Sequence, residues 1–244
     1  MVLILIFRKS FHGRMLRLTG KGSTWRKKRK EPDRDRIEGA VWIFTEGEKT
    51  EPNYLKGLIS RICSDPQYRR TYHLVPCKGS GITVFNKALG YLKKTISDDM
   101  GDIYIVFDKD DIYDAVFDGL ISDIEAKSDS KWHWHAIWSN ECFELWYVLH
   151  FEYLCSDVGR KTYYSKLDKY MQKNGKKAYD KSSEDIYDLL REIGSPADAL
   201  INAERLEDKW KGYTPSKSIP CTRIRELLIP LLSRLPSDER EKFS

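Results

Sequence analysis

Residues 40–52 have the sequence AVWIFTEGEKTEP, in which five apolar residues give way to charged ones. A short run of β-branched and aromatic residues is typical of a buried β-strand. Similar runs follow at residues 72–76, 102–107 and 132–138, and each is separated from the next by apolar residues at helical spacing. This alternation predicts an α/β fold with a four-stranded, mostly parallel sheet flanked by helices.

The helices of this first half are predicted near residues 52–62, 82–96, 114–126 and 141–153, with Asn140 as the N-cap of the last. The second half differs, because its apolar residues recur at helical spacing near residues 160–173, 183–193, 196–210 and 222–235. We therefore predict an α/β domain at residues 40–153 and a helical C-terminal extension, packed on it, at residues 154–244.

The composition limits the class of protein. The chain has 244 residues, of which 41% are hydrophobic, and this is enough for a sizeable core. The early apolar run at residues 2–7 is too short for a signal peptide or for the roughly 20 residues of a membrane span. The five cysteines are scattered and form no C-x-x-C pair, so neither a disulfide framework nor a zinc ribbon is expected. We expect a cytoplasmic protein without a membrane segment.

Positive charge is concentrated in an N-terminal arm, residues 1–39. Residues 1–40 carry 12 Lys or Arg and 4 Asp or Glu, whereas the remaining 204 residues carry 30 and 33. The charge is densest at Arg26, Lys27, Lys28, Arg29 and Lys30. Such a cluster predicts a flexible arm that binds nucleic-acid phosphates, although a solvated tail would have the same composition. Met15 is an alternative start to Met1.

Carboxylates follow the first and third predicted strands. They are Glu46, Glu48 and Glu51 after the first strand, and Asp108, Asp110 and Asp111 after the third. In a parallel sheet both strand ends lie at the same edge, where ligands commonly bind. Carboxylates gathered there repel one another, and oxygen ligands favour Mg²⁺ or Mn²⁺. The alternative is that these are ordinary polar residues at strand ends or helix caps.

Three motifs resemble the RloB family, which is also grouped with the AbiLii abortive-infection proteins. They are VWIFTEGEKTEPNYLKGL at residues 41–58, YIVFDKDD at 104–111 and WSNECFELWYVLHFE at 138–152. A weaker fourth resemblance is YTPSKSIPCTRIRELL at residues 213–228. The family is placed in the Toprim-like superfamily, so the resemblance implies a Toprim-like sheet. This chain has Glu141 where the family often has proline.

The resemblance also assigns site residues. It implies that Glu46 takes part in acid–base chemistry or metal binding, and that Asp108 and Asp110 bind Mg²⁺. Lys49 belongs to the same motif and could contact a phosphate. The auxiliary candidates are Glu48, Lys49, Asp111, Asn140 and Glu144, with helix capping and structural hydrogen bonding as the alternatives for Asn140 and Glu144.

The resulting hypothesis is a metal-dependent nuclease of Toprim type in bacterial anti-phage defence. The resemblance implies an ATPase partner, and a homo-oligomer is compatible with it. The alternative is a non-catalytic nucleic-acid-binding or assembly subunit of a defence complex. The sequence does not distinguish DNA from tRNA or other RNA as the substrate. A haloacid-dehalogenase-type phosphatase is disfavoured, because its Asp-x-Asp motif belongs on the first strand.

Overall fold

The computed structural model describes residues 39–69, 71–95 and 100–243. The predicted basic cluster at residues 26–30 and nearly all of the predicted arm lie outside the described residues. Within the described ranges, no helix is long and apolar enough to cross a membrane.

Five strands form one sheet in the order β2-β1-β3-β4-β5. Their bounds are β1 (Ala40–Thr45), β2 (Tyr72–Pro76), β3 (Gly101–Asp108), β4 (Trp132–Asn140) and β5 (Cys221–Thr222). The first four are parallel, whereas β5 pairs antiparallel with β4. The prediction of an α/β fold with a mostly parallel sheet is confirmed. The prediction of four strands was wrong by one, because β5 has two residues and lies between helical patterns.

The helices alternate with the parallel strands and then follow one another in the second half. They are α1 (Thr50–Ile62), α2 (Gly81–Thr95), α3 (Asp114–Glu125), α4 (Glu144–Leu149), α5 (Arg160–Lys173), α6 (Ile186–Ile193), α7 (Pro196–Lys209), α8 (Ile224–Leu232) and α9 (Ser237–Arg240). Short 3₁₀ turns occur at Pro66–Tyr68, Pro215–Lys217 and Glu241–Phe243. The start of α7 follows simple rules, because Ser195 accepts the Asp198 N–H and Pro196 occupies the first turn.

The two faces of the sheet are covered by different helices. The chain crosses from β1 to β2 in one direction and from β2 to β3 and β4 in the other, so right-handed connections place α1 opposite α2 and α3. In agreement, α2 contacts α3, whereas α1 contacts α6. Tyr54 of α1 packs edge-on against Trp146 of α4, and both side chains are buried. This packing holds α4 against α1.

Two boundaries near residue 140 differ from the prediction. The predicted helix at residues 141–153 is only Glu144–Leu149, and Asn140 is the last residue of β4. The predicted N-cap at Asn140 is therefore wrong. Its buried side chain instead donates to the carbonyl oxygens of Pro215 and Ser216, each at 3.2 Å. Asn140 thus attaches the 3₁₀ turn of the second half to the sheet.

His135 gives the fold a pH dependence that can be measured. Burial alone would lower its pKa, but a hydrogen bond to the Asp102 carboxylate at 3.0 Å and an ion pair with Glu226 at 3.6 Å outweigh burial and raise the pKa to about 9. The stabilisation is full below the unfolded-state value of about 6.5 and is lost as the pH rises through 9. Because the side chain is 27% exposed, screening limits the effect to about 2 kcal/mol. We expect His135→Gln to destabilise the protein at pH 6 and progressively less up to pH 10.

Urea unfolding at a series of pH values measures this difference. His133→Gln is the matched control, because His133 is exposed on the same strand. A destabilisation by His135→Gln that is the same at pH 6 and pH 10 would show that the ion pairs contribute nothing.

Candidate functional site

Glu46 and Asp108 meet at the carboxyl edge of the sheet. Thr45 of β1 lies opposite Val106 of β3, so the next residues of both strands leave the sheet side by side. The Glu46 N–H donates to the Val106 carbonyl oxygen at 2.9 Å. In return, the Asp108 N–H donates to Glu46 Oε2 at 3.2 Å. The parallel pairing of two central strands therefore holds these two residues together.

Glu51 is a third carboxylate at this edge and is buried in the first turn of α1. Its Oε1 accepts the N–H of Gly47 at 3.2 Å. A Cβ atom at position 47 would lie 2.2 Å from Glu51 Oε2, so a side chain there would displace the buried carboxylate. The glycine after Glu46 is thus explained by the close approach of Glu51.

Asp110 is held by the loop after β3 and by the start of α5. Its φ of 42° lies in the left-handed region, which Asp tolerates better than most residues. The Asp110 N–H donates to the Glu141 carbonyl oxygen at 3.2 Å, and Asp110 Oδ1 accepts a hydrogen bond from Arg160 Nη2 at 2.5 Å. The Arg160 N–H also donates to Glu141 Oε2 at 2.6 Å. Asp110 is therefore paired with a cation of the second half.

Glu144 approaches the same cluster from α4. Its side chain is buried, and its Oε1 accepts a hydrogen bond from the Tyr179 hydroxyl at 3.2 Å. Glu144 is also among the carboxylates whose charge raises the pKa of Asp108. The structural hydrogen bond that was the alternative to a site role for Glu144 is thus present. Glu144 is nevertheless close enough to Asp108 for its charge to act on that residue.

We call Glu46, Glu51, Asp108, Asp110 and Glu144 the acidic cluster. Burial raises the pKa of Asp108 well above its ordinary value, and the charges of the other four carboxylates raise it further. Burial also raises the pKa of Glu46 and of Glu51 to about 7 in each case. Without a bound cation, Glu46 and Glu51 are therefore about half protonated at neutral pH, and a cation would compete with those protons.

The donor set of this cluster suits a hard cation, since all its side-chain ligands are carboxylate oxygens. Among the described residues, however, no group of three or more His, Cys, Asp or Glu side chains is placed to hold a metal ion. Mg²⁺ is commonly bound by only one or two carboxylates and several waters. Glu46 and Asp108, which are adjacent and carry raised pKa values, are the residues that could hold it.

Comparison with known proteins decides the family. The model of the RloB-like protein family matches residues 41–231, which is more than three quarters of the chain. The chain belongs to the RloB-like family. The resemblance seen in the sequence is thereby confirmed, and the match includes the acidic cluster and Arg160. No curated protein and no solved structure matches the chain significantly.

The other predicted site residues of this RloB-like chain are not part of the cluster. Glu48 and Lys49 are exposed in the turn before α1, and Asp111 is exposed after β3. Exposure leaves Lys49 accessible to a phosphate, but no contact in the described residues assigns it that role. Asn140 holds the 3₁₀ turn of the second half. The metal-binding and catalytic roles of Glu46, Asp108 and Asp110 stay predictions.

Arg160 and Tyr179 were missed by the sequence analysis. Both lie in the predicted extension, and they contact the cluster through Asp110 and Glu144 respectively. Arg160 is 50 residues from Asp110 along the chain. A single sequence carries no signal for a contact of this kind, because an arginine at a helix start is ordinary.

Proposed function

We propose that this RloB-like protein is a Mg²⁺-dependent nuclease of Toprim type that hydrolyses phosphodiester bonds of DNA or RNA. One observation carries the proposal: Asp108 follows a parallel strand at the carboxyl edge of the sheet, next to Glu46, and burial, followed by the charges of four further carboxylates, raises its pKa. An edge of this kind is where α/β proteins bind ligands. Crowded carboxyl groups at that place are costly for folding even with Asp110 paired to Arg160, and binding a cation would offset that cost.

In this proposal Glu46 and Asp108 hold the cation, with Mn²⁺ as a substitute for Mg²⁺. Bound Mg²⁺ supplies Lewis-acid polarisation of a phosphoryl oxygen and offsets developing negative charge. As the alternative to binding the cation, Glu46 can accept and return a proton at neutral pH, because burial raises the pKa of its unliganded carboxyl group to about 7. The short pair with Arg160 positions Asp110 and places a guanidinium, which suits phosphate, beside the cluster.

The remaining parts of the proposal come from the sequence and the family. Lys49 and the basic cluster at residues 26–30 would contact the phosphate backbone without choosing a sequence. The protein would act in the cytoplasm in bacterial anti-phage defence, with an ATPase partner that restrains or triggers it. A homo-oligomer is compatible with this scheme.

A second candidate function is a non-catalytic nucleic-acid-binding or assembly subunit. Two observations on the described residues favour it: Asp110 is paired with Arg160, and no three potential ligands are placed around one ion. In this case the acidic cluster would hold no catalytic ion.

A cleavage assay separates the two candidates. The full chain is incubated with mixed single- and double-stranded DNA and RNA in the presence of Mg²⁺, Mn²⁺ or EDTA. The nuclease proposal expects cleavage with Mg²⁺ or Mn²⁺, none with EDTA, and loss of cleavage in Glu46→Gln. Asp123→Asn, which removes a charge from an exposed position on α3, is the matched control. Cleavage that persists in Glu46→Gln would place the activity elsewhere, and binding without cleavage in all conditions would favour the subunit.

A further inference from the structure

A concave surface apart from the acidic cluster lies between α2 and the end of β2, the strand at one edge of the described sheet. It is a groove of about 380 Å³. Its lining residues are Phe44, Val75, Pro76, Cys77, Lys87, Gly90, Tyr91 and Lys94. The site described above uses none of them. The floor of this groove is therefore apolar, and its rim is basic.

Both charged residues that line this groove are lysines. Lys87 and Lys94 line the groove itself. Lys87 Nζ donates to the carbonyl oxygen of Lys78 at 2.8 Å, so a third lysine follows the end of β2 at the same place. A rim of this kind is complementary to a phosphate backbone.

An aromatic ring lies between the lysines. Lys87, Tyr91 and Lys94 are spaced by four and three residues, so they share one face of α2. Tyr91 is 41% exposed, and its ring is supported from within by Trp42 and Phe44, with centroids 5.3 and 5.9 Å away. A supported, half-exposed ring between two cations has the features of a stacking platform for a base.

One end of the groove lies at the carboxyl edge of the sheet, where β2 ends at Pro76, and from there the groove follows α2 toward Tyr91 and Lys94. Phe44 lines the groove and precedes Glu46 by two residues. On the next strand, the Cys77 N–H donates to the Thr45 carbonyl oxygen at 2.8 Å. This end of the groove therefore lies beside the end of β1, which Glu46 follows.

We propose that this groove binds an unpaired segment of DNA or RNA, with a base against Tyr91 and phosphates beside Lys87 and Lys94, and leads that strand to the acidic cluster. Only the second part of this inference, that the groove leads the strand to the acidic cluster, rests on the proposed function. A single strand is the fitting occupant, because a duplex hides the faces of its bases and stacking on a side chain needs them free.

Gly90 provides the test. It is exposed in the groove wall, and a Cβ atom there meets nothing within 4 Å, so Gly90→Glu places bulk and negative charge in the groove without a clash in the fold. Gly119→Glu is the matched control, because Gly119 is also exposed and helical, on α3, with open space at its Cβ. Thermal melts of both variants verify that each is folded.

Binding is measured by fluorescence anisotropy on labelled 12-nucleotide single-stranded DNA and RNA and on a duplex, in EDTA and at several salt concentrations. We expect Gly90→Glu to weaken single-strand binding at least about 10-fold and to flatten its salt dependence, and Gly119→Glu to change it less than about 2-fold. Tyr91→Ala should weaken binding to single strands more than binding to the duplex.

The proposal would be contradicted if the two glutamate substitutions had equal effects on binding, or if Gly90→Glu left single-strand binding unchanged. In the second case, a protein strand added to β2 becomes the alternative occupant of the groove. Because the measurement is made without divalent metal, it is independent of cleavage. If binding depends on the groove but no metal-dependent cleavage is found, the nuclease proposal is refuted and the proposed binding site is supported.

Discussion

Asp108→Asn is expected to lower metal-dependent cleavage by at least about 100-fold while leaving the metal-free protein equally or more stable. The substitution keeps the shape of the side chain and removes an ionisable group from a site where burial, followed by the charges of four other carboxylates, raises the pKa of Asp108. Relief of that repulsion should raise the free energy of unfolding by up to about 1 kcal/mol, or roughly 2–4 °C in Tm. Loss of a ligand should at the same time reduce the Mg²⁺-dependent rise in Tm.

Cleavage rates and thermal melts, each with and without Mg²⁺, measure both parts of this prediction. Asp123→Asn carries the same charge change at an exposed position of α3 and should leave activity and the Mg²⁺ shift intact. A lower Tm of metal-free Asp108→Asn together with an unchanged Mg²⁺ shift would make Asp108 a structural residue. That combination would remove the main support of the nuclease proposal.

Glu51→Gln is expected to stabilise the metal-free protein by an amount that grows with pH. Burial raises the pKa of Glu51 to about 7, and its unfolded-state value is near 4.5. A carboxyl group whose pKa is raised on folding does not destabilise the protein below pH 4.5. Its destabilising effect on the free energy of unfolding grows as the pH rises from 4.5 through 7. A shift of this size corresponds to about 3 kcal/mol. Glutamine keeps an oxygen that can accept the Gly47 N–H, so the local fold should persist.

The measured quantity is the difference in free energy of unfolding between Glu51→Gln and wild type at pH 5, 6, 7 and 8 in EDTA. The difference is needed because His150, whose pKa burial lowers to about 4, makes its own pH-dependent contribution below pH 6.5. The advantage of Glu51→Gln should level off above pH 7 and shrink when Mg²⁺ is added to both proteins. A difference that is constant from pH 5 to pH 8 would show that Glu51 titrates normally and that the cluster is not strained.

Much of the α/β core was predictable, because its four parallel strands are continuous apolar runs. Between them lie segments whose apolar residues recur at helical spacing. The predicted strand at residues 72–76 agrees with β2, and the predicted helix at 160–173 agrees with α5. The strand β5 could not be predicted, since two residues carry no periodicity and its pairing with β4 is a tertiary effect. The predicted helix at residues 141–153 was longer than α4, because apolar residues continue along the chain beyond the last residue of α4.

The candidate site was predictable where it follows from strand ends. Glu46 and Asp108 each end or follow a strand, and parallel pairing alone brings them together. Arg160 and Tyr179 depend instead on how the second half packs against the first, and a single sequence does not encode that packing in any short pattern. Asn140 was misassigned because a polar residue before an apolar helix resembles an N-cap, whereas its amide hydrogen-bonds to the turn at Pro215–Lys217.

Titration calorimetry with Mg²⁺ tests the central claim, that Glu46 and Asp108 form a divalent-cation site, without relying on any substrate. The full chain is first stripped of metal with EDTA and dialysed, and the same titration is run on Asp108→Asn and Asp123→Asn. The account predicts saturable Mg²⁺ binding in the wild type and in Asp123→Asn, and at least about 10-fold weaker binding in Asp108→Asn. Binding of equal strength in all three proteins, or no saturable binding in the wild type, would contradict it.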